Sequence, residues 1–140
     1  MKAIWAIACM AALAHVHAQA DTSRLVGTYG HDFTRNKTDP VWTISEKRGH
    51  FMLLSHGDQS TAALHAMSAA DQAAFWKQMI WDEKSAAGAH CMRSDEEVFC
   101  YVPKPSRGAE PYLRDLNSDY FSFSQMGGIF KLNKLSGGGR

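Results

Sequence analysis

The chain of 140 residues is sparing in several respects: four Pro, three Cys, and a formal net charge of only +1 from 15 Lys+Arg against 14 Asp+Glu. Near-neutral charge argues against a nucleic-acid binder, which carries a basic surplus or a basic face. The length suits one domain, without room for a second core of ordinary size. No G-x-S-x-G, S-x-x-K, H-E-x-x-H or phosphate loop occurs, so no catalytic residue and no cofactor is assigned. No repeat of fixed period is present. The apolar fraction, by contrast, is an ordinary 45%, enough for a packed core.

The longest apolar run lies at the start. Lys2 precedes Ala3–Ala14, and Ala18-Gln19-Ala20 follows as a small-x-small pattern. That arrangement predicts a secretory signal peptide over residues 1–20, cleaved after Ala20. His15 and His17 interrupt the run before it reaches the roughly 20 residues of a spanning helix. Cys9 lies within the apolar run, away from the position a lipid-modified Cys would take. Without residues 1–20 the chain keeps 120 residues, 14 Lys+Arg, 14 Asp+Glu and two Cys. Residues 21–135 are then expected as a single α+β domain with 136–140 as a flexible tail, exported to the periplasm or outside the cell with no membrane span.

In an oxidising compartment Cys91 and Cys100 form an even pair and are expected as a disulfide. Their spacing is wider than the Cys-x-x-Cys of redox pairs. A loop of this size closed by a disulfide is worth about 2–3 kcal/mol in the chain-entropy account. The intervening Asp95, Glu96 and Glu97 make a charged loop ordered by that staple. Such an element meets a partner with its ordering cost already reduced.

Periodicity predicts about six strands. Leu25–Gly30, Val41–Glu46, His50–Ser55, Val98–Val102, Asp119–Ser124 and Ile129–Leu135 have alternating or β-rich patterns. Lys47-Arg48-Gly49 and Gly127-Gly128 mark tight turns. From Ser60 to Lys84 the chain is rich in Ala, Met and Gln without Gly or Pro. This predicts a first helical turn over Thr61–Ala66, then a main helix from Ala69 to about Asp82 capped by Ser68. Leu64, Met67, Phe75, Met79 and Ile80 are assigned to its buried side, with Phe75–Met79 and Trp76–Ile80 as touching pairs. Residues 103–117 are expected as a long polar connection. The predicted fold is α+β: a curved antiparallel sheet or partly open barrel packed on one main helix, with a small closed barrel as the alternative.

Leu25-Val26-Gly27-Thr28-Tyr29 resembles the opening strand of lipocalin-like proteins, with Tyr29 where those have Trp after Gly-x. The similarity spans five residues, and the long central helix departs from the lipocalin order, where the helix follows the barrel strands. No ligand, site or mechanism is carried over from it.

His31, His50, His56, His65 and His90 show no metal-ligand spacing, so no metal site is assigned. Tyr101, Arg107, Tyr112 and Arg114 lie in or beside the Pro-rich connection and are expected as an aromatic-cationic contact patch. With Asp95, Glu96 and Glu97 they make the candidate partner-binding set. The favoured expectation is a small exported binding protein without enzymatic activity. It would be an inhibitor or immunity-type factor acting on an extracytoplasmic protein. The alternatives are a carrier with an apolar pocket between sheet and helix, filled or left open by Phe51, Leu53, Phe75, Phe121 and Phe130, and a hydrolase built on His56 or His90 with a nearby acid.

Overall fold

The computed structural model describes residues 22–137; the expected signal peptide lies outside them. Eight antiparallel strands, each paired with its neighbour in sequence, close into a barrel. They are β1 (Gly27–His31), β2 (Trp42–Lys47), β3 (His50–Ser55), β4 (Thr61–Ala66), β5 (His90–Arg93), β6 (Glu97–Tyr101), β7 (Tyr120–Ser124) and β8 (Gly128–Gly137). Between β4 and β5 stands α1 (Ala69–Met79); between β6 and β7 stand α2 (Lys104–Arg107) and α3 (Pro111–Leu116).

The antiparallel sheet with accompanying helix is as expected, but eight strands replace six and the barrel is closed, the alternative architecture. The two unforeseen strands have a common cause. Thr61–Ala66 was expected as helix because alanine favours helix and is depleted in strands. It is β4 because Thr61–Leu64 pairs with Phe51–Leu54, bringing Leu64 opposite Phe51 on the inner face. His90–Arg93 is only four residues long, and it pairs through Cys91↔Cys100 and Met92↔Phe99. Tertiary pairing overrides local preference at both places. Likewise Ser136 and Gly137, expected in the tail, pair with Thr28 and Gly27 of β1.

Alternation sorts side chains into two cores. Inside the barrel, Tyr29, Ile44, Leu53, Leu64, Met92, Phe99 and Leu132 pack with Leu25. Outside, the residues between them on β5, β6 and β7 point away: Cys91, Cys100, Phe121 and Phe123 meet Phe75 and Trp76 of α1 and the following Trp81. The helix therefore covers the outer wall of the barrel, and Phe75 and Phe121 lie outside the barrel interior. Ser68 caps α1, its Oγ accepting from Asp71 N at 3.1 Å. The helix stops at Met79, short of the expected Asp82. Ile80 takes the left-handed conformation at φ 58° and is 91% exposed, so the expected Trp76–Ile80 contact is absent. Leu64 packs inside the barrel from β4 and is no part of the helix.

The two barrel ends differ. A 3-10 turn, Thr22–Leu25, plugs one of them. Ser23 O accepts from Val26 N at 3.2 Å, and the last two carbonyls of the turn are met by side chains: Tyr29 Oη donates to Leu25 O at 2.6 Å and Lys134 Nζ to Arg24 O at 2.8 Å. Lys134 also lies over the rings of Tyr29 and Tyr120. Burial pushes the Tyr29 phenol well above its ordinary pKa and lowers that of Lys134, since neither charge is welcome there. The opposite end carries the hairpin connections 32–41, 56–60, 94–96 and 125–127 and is called the open end for the hollow there against Trp42 and Leu53.

Candidate functional site

Two depressions flank one turn at the open end. The first, of about 670 Å³, lies between α1 and the turns, against Phe75, Gln78, Phe123 and Met126. The second, of about 710 Å³, dips into the barrel mouth against Trp42, Leu53, Ala62 and Thr61. Ser94, Asp95, Glu96 and Glu97 line both. The β5–β6 turn is thus a ridge with a hollow on each side.

Its shape follows from the sequence. Ser94 Oγ accepts from Glu96 N at 3.3 Å and Glu97 N at 3.1 Å, while Ser94 N donates to Glu97 O at 2.9 Å. Below the ridge, Cys91 and Cys100 are directly opposite, with Cα atoms 4.2 Å apart, and are joined as the expected disulfide. Both are fully buried under α1, so the ridge stands on a cross-linked strand pair within the outer core.

The three acids are not equivalent. Asp95 and Glu96 sit in the turn, whereas Glu97 is the first residue of β6 and is half-buried opposite Ser124. Burial, reinforced by the adjacent Glu96, pushes the Glu97 carboxyl up to about 7. Across the second hollow, Asp58 accepts from Ser60 N at 3.0 Å and Ser60 Oγ at 2.7 Å, which holds its carboxyl down at about 2. On the first hollow Asp71 adds a further carboxylate, with Arg93 as the cation.

The remaining candidates lie elsewhere. Tyr101 is at the other end of β6, its ring 5.4 Å from that of Tyr120, with Arg24 donating to its hydroxyl at 3.3 Å. Arg107 is 7% exposed and ion-paired to Asp119 at 2.9 Å, a structural contact. Tyr112 is exposed and stacks on Trp81 at 6.0 Å between ring centres. Arg114 is exposed beside Asp115. The expected polar connection contains α2 and α3, and it buries Arg107 and Leu113. The structure therefore gathers Asp95, Glu96 and Glu97 at the open end and leaves Tyr101, Arg107, Tyr112 and Arg114 away from them.

Histidines scatter. His56 Nε2 lies 2.8 Å from Thr43 Oγ1, His31 stacks on Phe130, His90 stacks on Tyr101, and His65 borders the second hollow. Among the described residues no three of His, Cys, Asp and Glu gather to hold a metal ion. Sequence reasoning missed Ser94, Asp58, Trp42 and the Thr61–Ala63 wall. For Ser94 a signal existed, a hydroxyl residue just before a run of three acids; the other three come together only through strand pairing.

No helix among the described residues is long and apolar enough to cross a membrane. The strands themselves are mostly four to six residues, against the 9–11 of membrane-spanning strands. Comparison with protein-family models, with curated proteins and with solved structures finds no match to this chain.

Proposed function

We propose that the protein is an exported, non-enzymatic binding protein that uses its open end to dock a basic segment of another extracytoplasmic protein, in the manner of an inhibitor or immunity-type factor. One observation carries this reading: a single acidic turn, stapled by the Cys91–Cys100 disulfide, lines both hollows of the open end. A ridge with a hollow on each side offers convex and concave surface together. Its ordered backbone reduces the entropy lost on docking. The carboxylates supply electrostatic steering toward a cationic partner. The disulfide and the signal-like start support export to the periplasm or beyond.

Affinity capture with the immobilised protein from an exported-protein extract tests the proposal. A stoichiometric partner is expected, with capture weakened at least roughly tenfold by Asp95→Asn/Glu96→Gln/Glu97→Gln and by raised salt. Capture indifferent to both changes, or no stoichiometric partner, would sink the idea.

The carrier reading has narrower support. An eight-stranded barrel is just wide enough to be filled by side chains or to hold one small ligand. Here Ile44, Leu64, Met92, Phe99 and Leu132 pack in the interior, and the second hollow reaches Leu53 and Trp42 at the mouth. Titration with a small apolar dye tests it: saturable one-to-one binding, blocked by Ala62→Trp in the mouth, would favour a carrier.

A further inference from the structure

The barrel wall has a gap in its pairing. β4 makes four register pairs with β3, Phe51↔Leu64 through Leu54↔Thr61, but only two with β5, His65↔Arg93 and Ala66↔Met92. The two strands are sewn together at the closed-end side, where Met67 N also donates to Cys91 O at 2.9 Å. From Thr61 to Leu64, the β5 side of β4 faces no strand among the described residues. The acidic turn explains this. Its amides fold back on Ser94 Oγ, and Ser94 N donates to Glu97 O, so the turn does not extend the ladder across to β4. The hollow of about 710 Å³ occupies the resulting gap.

In an antiparallel strand, alternate residues direct N–H and C=O toward each neighbour. An unpaired side therefore presents main-chain donors and acceptors in a row. Natural edges are usually blunted by Lys, Pro or a bulge. Thr61-Ala62-Ala63-Leu64 has none of these, and its small side chains leave the backbone approachable. Facing it across the gap are Asp95, Glu96 and Glu97, with Asp58 at the lip. The edge invites a strand, and the surrounding carboxylates select its charge.

We infer that the edge of β4 from Thr61 to Leu64 is a strand-addition site, which takes an extended basic segment of the partner between β4 and the acidic turn. This rests on the reading of the open end as a docking surface for a basic partner, and it adds how that partner is held. Main-chain hydrogen bonds to β4 supply affinity, and Lys or Arg side chains reaching the ridge supply specificity. The four-residue edge, at about 3.3 Å per residue, spans about 13 Å and suits a segment of four to six residues.

The probe is a hexapeptide of alternating Lys and Val, blocked at both ends. Its controls are the Glu–Val analogue and the same peptide N-methylated at every amide. The expected result is saturable calorimetric binding of the Lys–Val peptide, at least roughly tenfold weaker for each control, since N-methylation removes the donors a strand must share. Amide exchange within Thr61–Leu64 slows at least roughly tenfold in the complex. Equal binding of the N-methylated peptide, unchanged exchange in β4, or no binding at millimolar peptide overturns strand addition. So does a dimer of this chain formed through the same edge, seen by sedimentation. If the N-methylated peptide still binds and Asp95→Asn/Glu96→Gln/Glu97→Gln abolishes its binding, acidic docking survives and strand addition falls. Partner capture indifferent to that triple variant removes the docking reading itself.

Discussion

The two ends of this barrel solve opposite problems with the same strands. At the closed end, Leu25, Tyr29, Lys134 and Arg24 satisfy one another: the phenol and the amine donate to carbonyls of the 3-10 turn, and the cations lie over aromatic rings. Little is left to offer a partner. At the open end, Asp58 bonds within its own turn to Ser60 and Ser94 to Glu96 and Glu97, while His56 N donates to Val41 O and Asn133 Nδ2 to Asp32 across segments; the carboxylates of the β5–β6 turn and one strand edge stay unpaired with strands. Side-chain contacts to the 3-10 turn stabilise one end, and the proposed docking surface lies at the other. The Cys91–Cys100 bridge, on strands shared by both, carries rigidity from the packed region to the exposed turn.

The comparison can be broken most severely at the plug. Leu25→Ala empties a fully buried site in the barrel interior and is expected to cost about 3 kcal/mol. Denaturant unfolding measures it, while partner affinity of the folded fraction stays unchanged. An affinity loss matching the stability loss would show that the two ends are not separable.

Removal of the staple comes next. Cys91→Ser/Cys100→Ser is expected to lower unfolding free energy by about 2–3 kcal/mol. Because it also loosens the ridge, it should speed partner dissociation, read by surface-based kinetics. Loss of stability with an unchanged off-rate would mean that the turn orders itself through Ser94 alone.

Glu97 sharpens the contrast through pH. Its carboxyl titrates near 7 when folded against an ordinary value near 4.5, so the folded protein holds a proton that the unfolded chain has released. The favourable contribution is fully present below pH 4.5 and is lost as pH rises to about 7. Asp58, His65, Asp71, Arg93, Asp95 and Glu96 are the other charged or titratable groups around the two hollows. Glu97→Gln should flatten the stability slope across that window and raise stability at pH 8 by about 1 kcal/mol, the value allowing for solvent screening of a half-buried group. Unfolding at pH 4.5 and pH 8 checks the sign. A cationic partner should bind better as pH rises through 7, with proton release seen by calorimetry in two buffers.

The smallest stability effect is expected at the tip. Asp95→Asn with Glu96→Gln should change unfolding free energy by no more than about 0.5 kcal/mol, as exposed charges do, while slowing partner association in low salt. A larger loss of stability would give these acids a structural role at the open end.

Much of the fold was legible in the chain. Alternation in Val41–Glu46 and Asp119–Ser124 identified strands because side chains on a strand alternate regardless of what they meet. Lys47-Arg48-Gly49 identified a hairpin, and Arg48 and Gly49 do take φ of 54° and 77°. Ser68 identified the start of α1, since a cap acts within one turn. Less was legible where a residue's role depends on distant chain. Thr61–Ala66 has helical composition and becomes β4 only beside β3. Arg107 looked like a contact residue and is consumed by Asp119, twelve positions away.

The sequence by itself determined the alternating faces of six strands, the hairpin turns at Lys47–Gly49 and Gly127–Gly128, the helix cap and the cysteine pair, because each depends on steric and hydrogen-bonding rules acting over a few residues. The tertiary structure alone decided that the sheet closes, that α1 lies on its outer wall, that the acidic turn separates two hollows, and that β4 is left half-paired. Those outcomes depend on which strand finds which neighbour and where each ladder stops, and a ladder's length is set jointly by segments far apart in the chain.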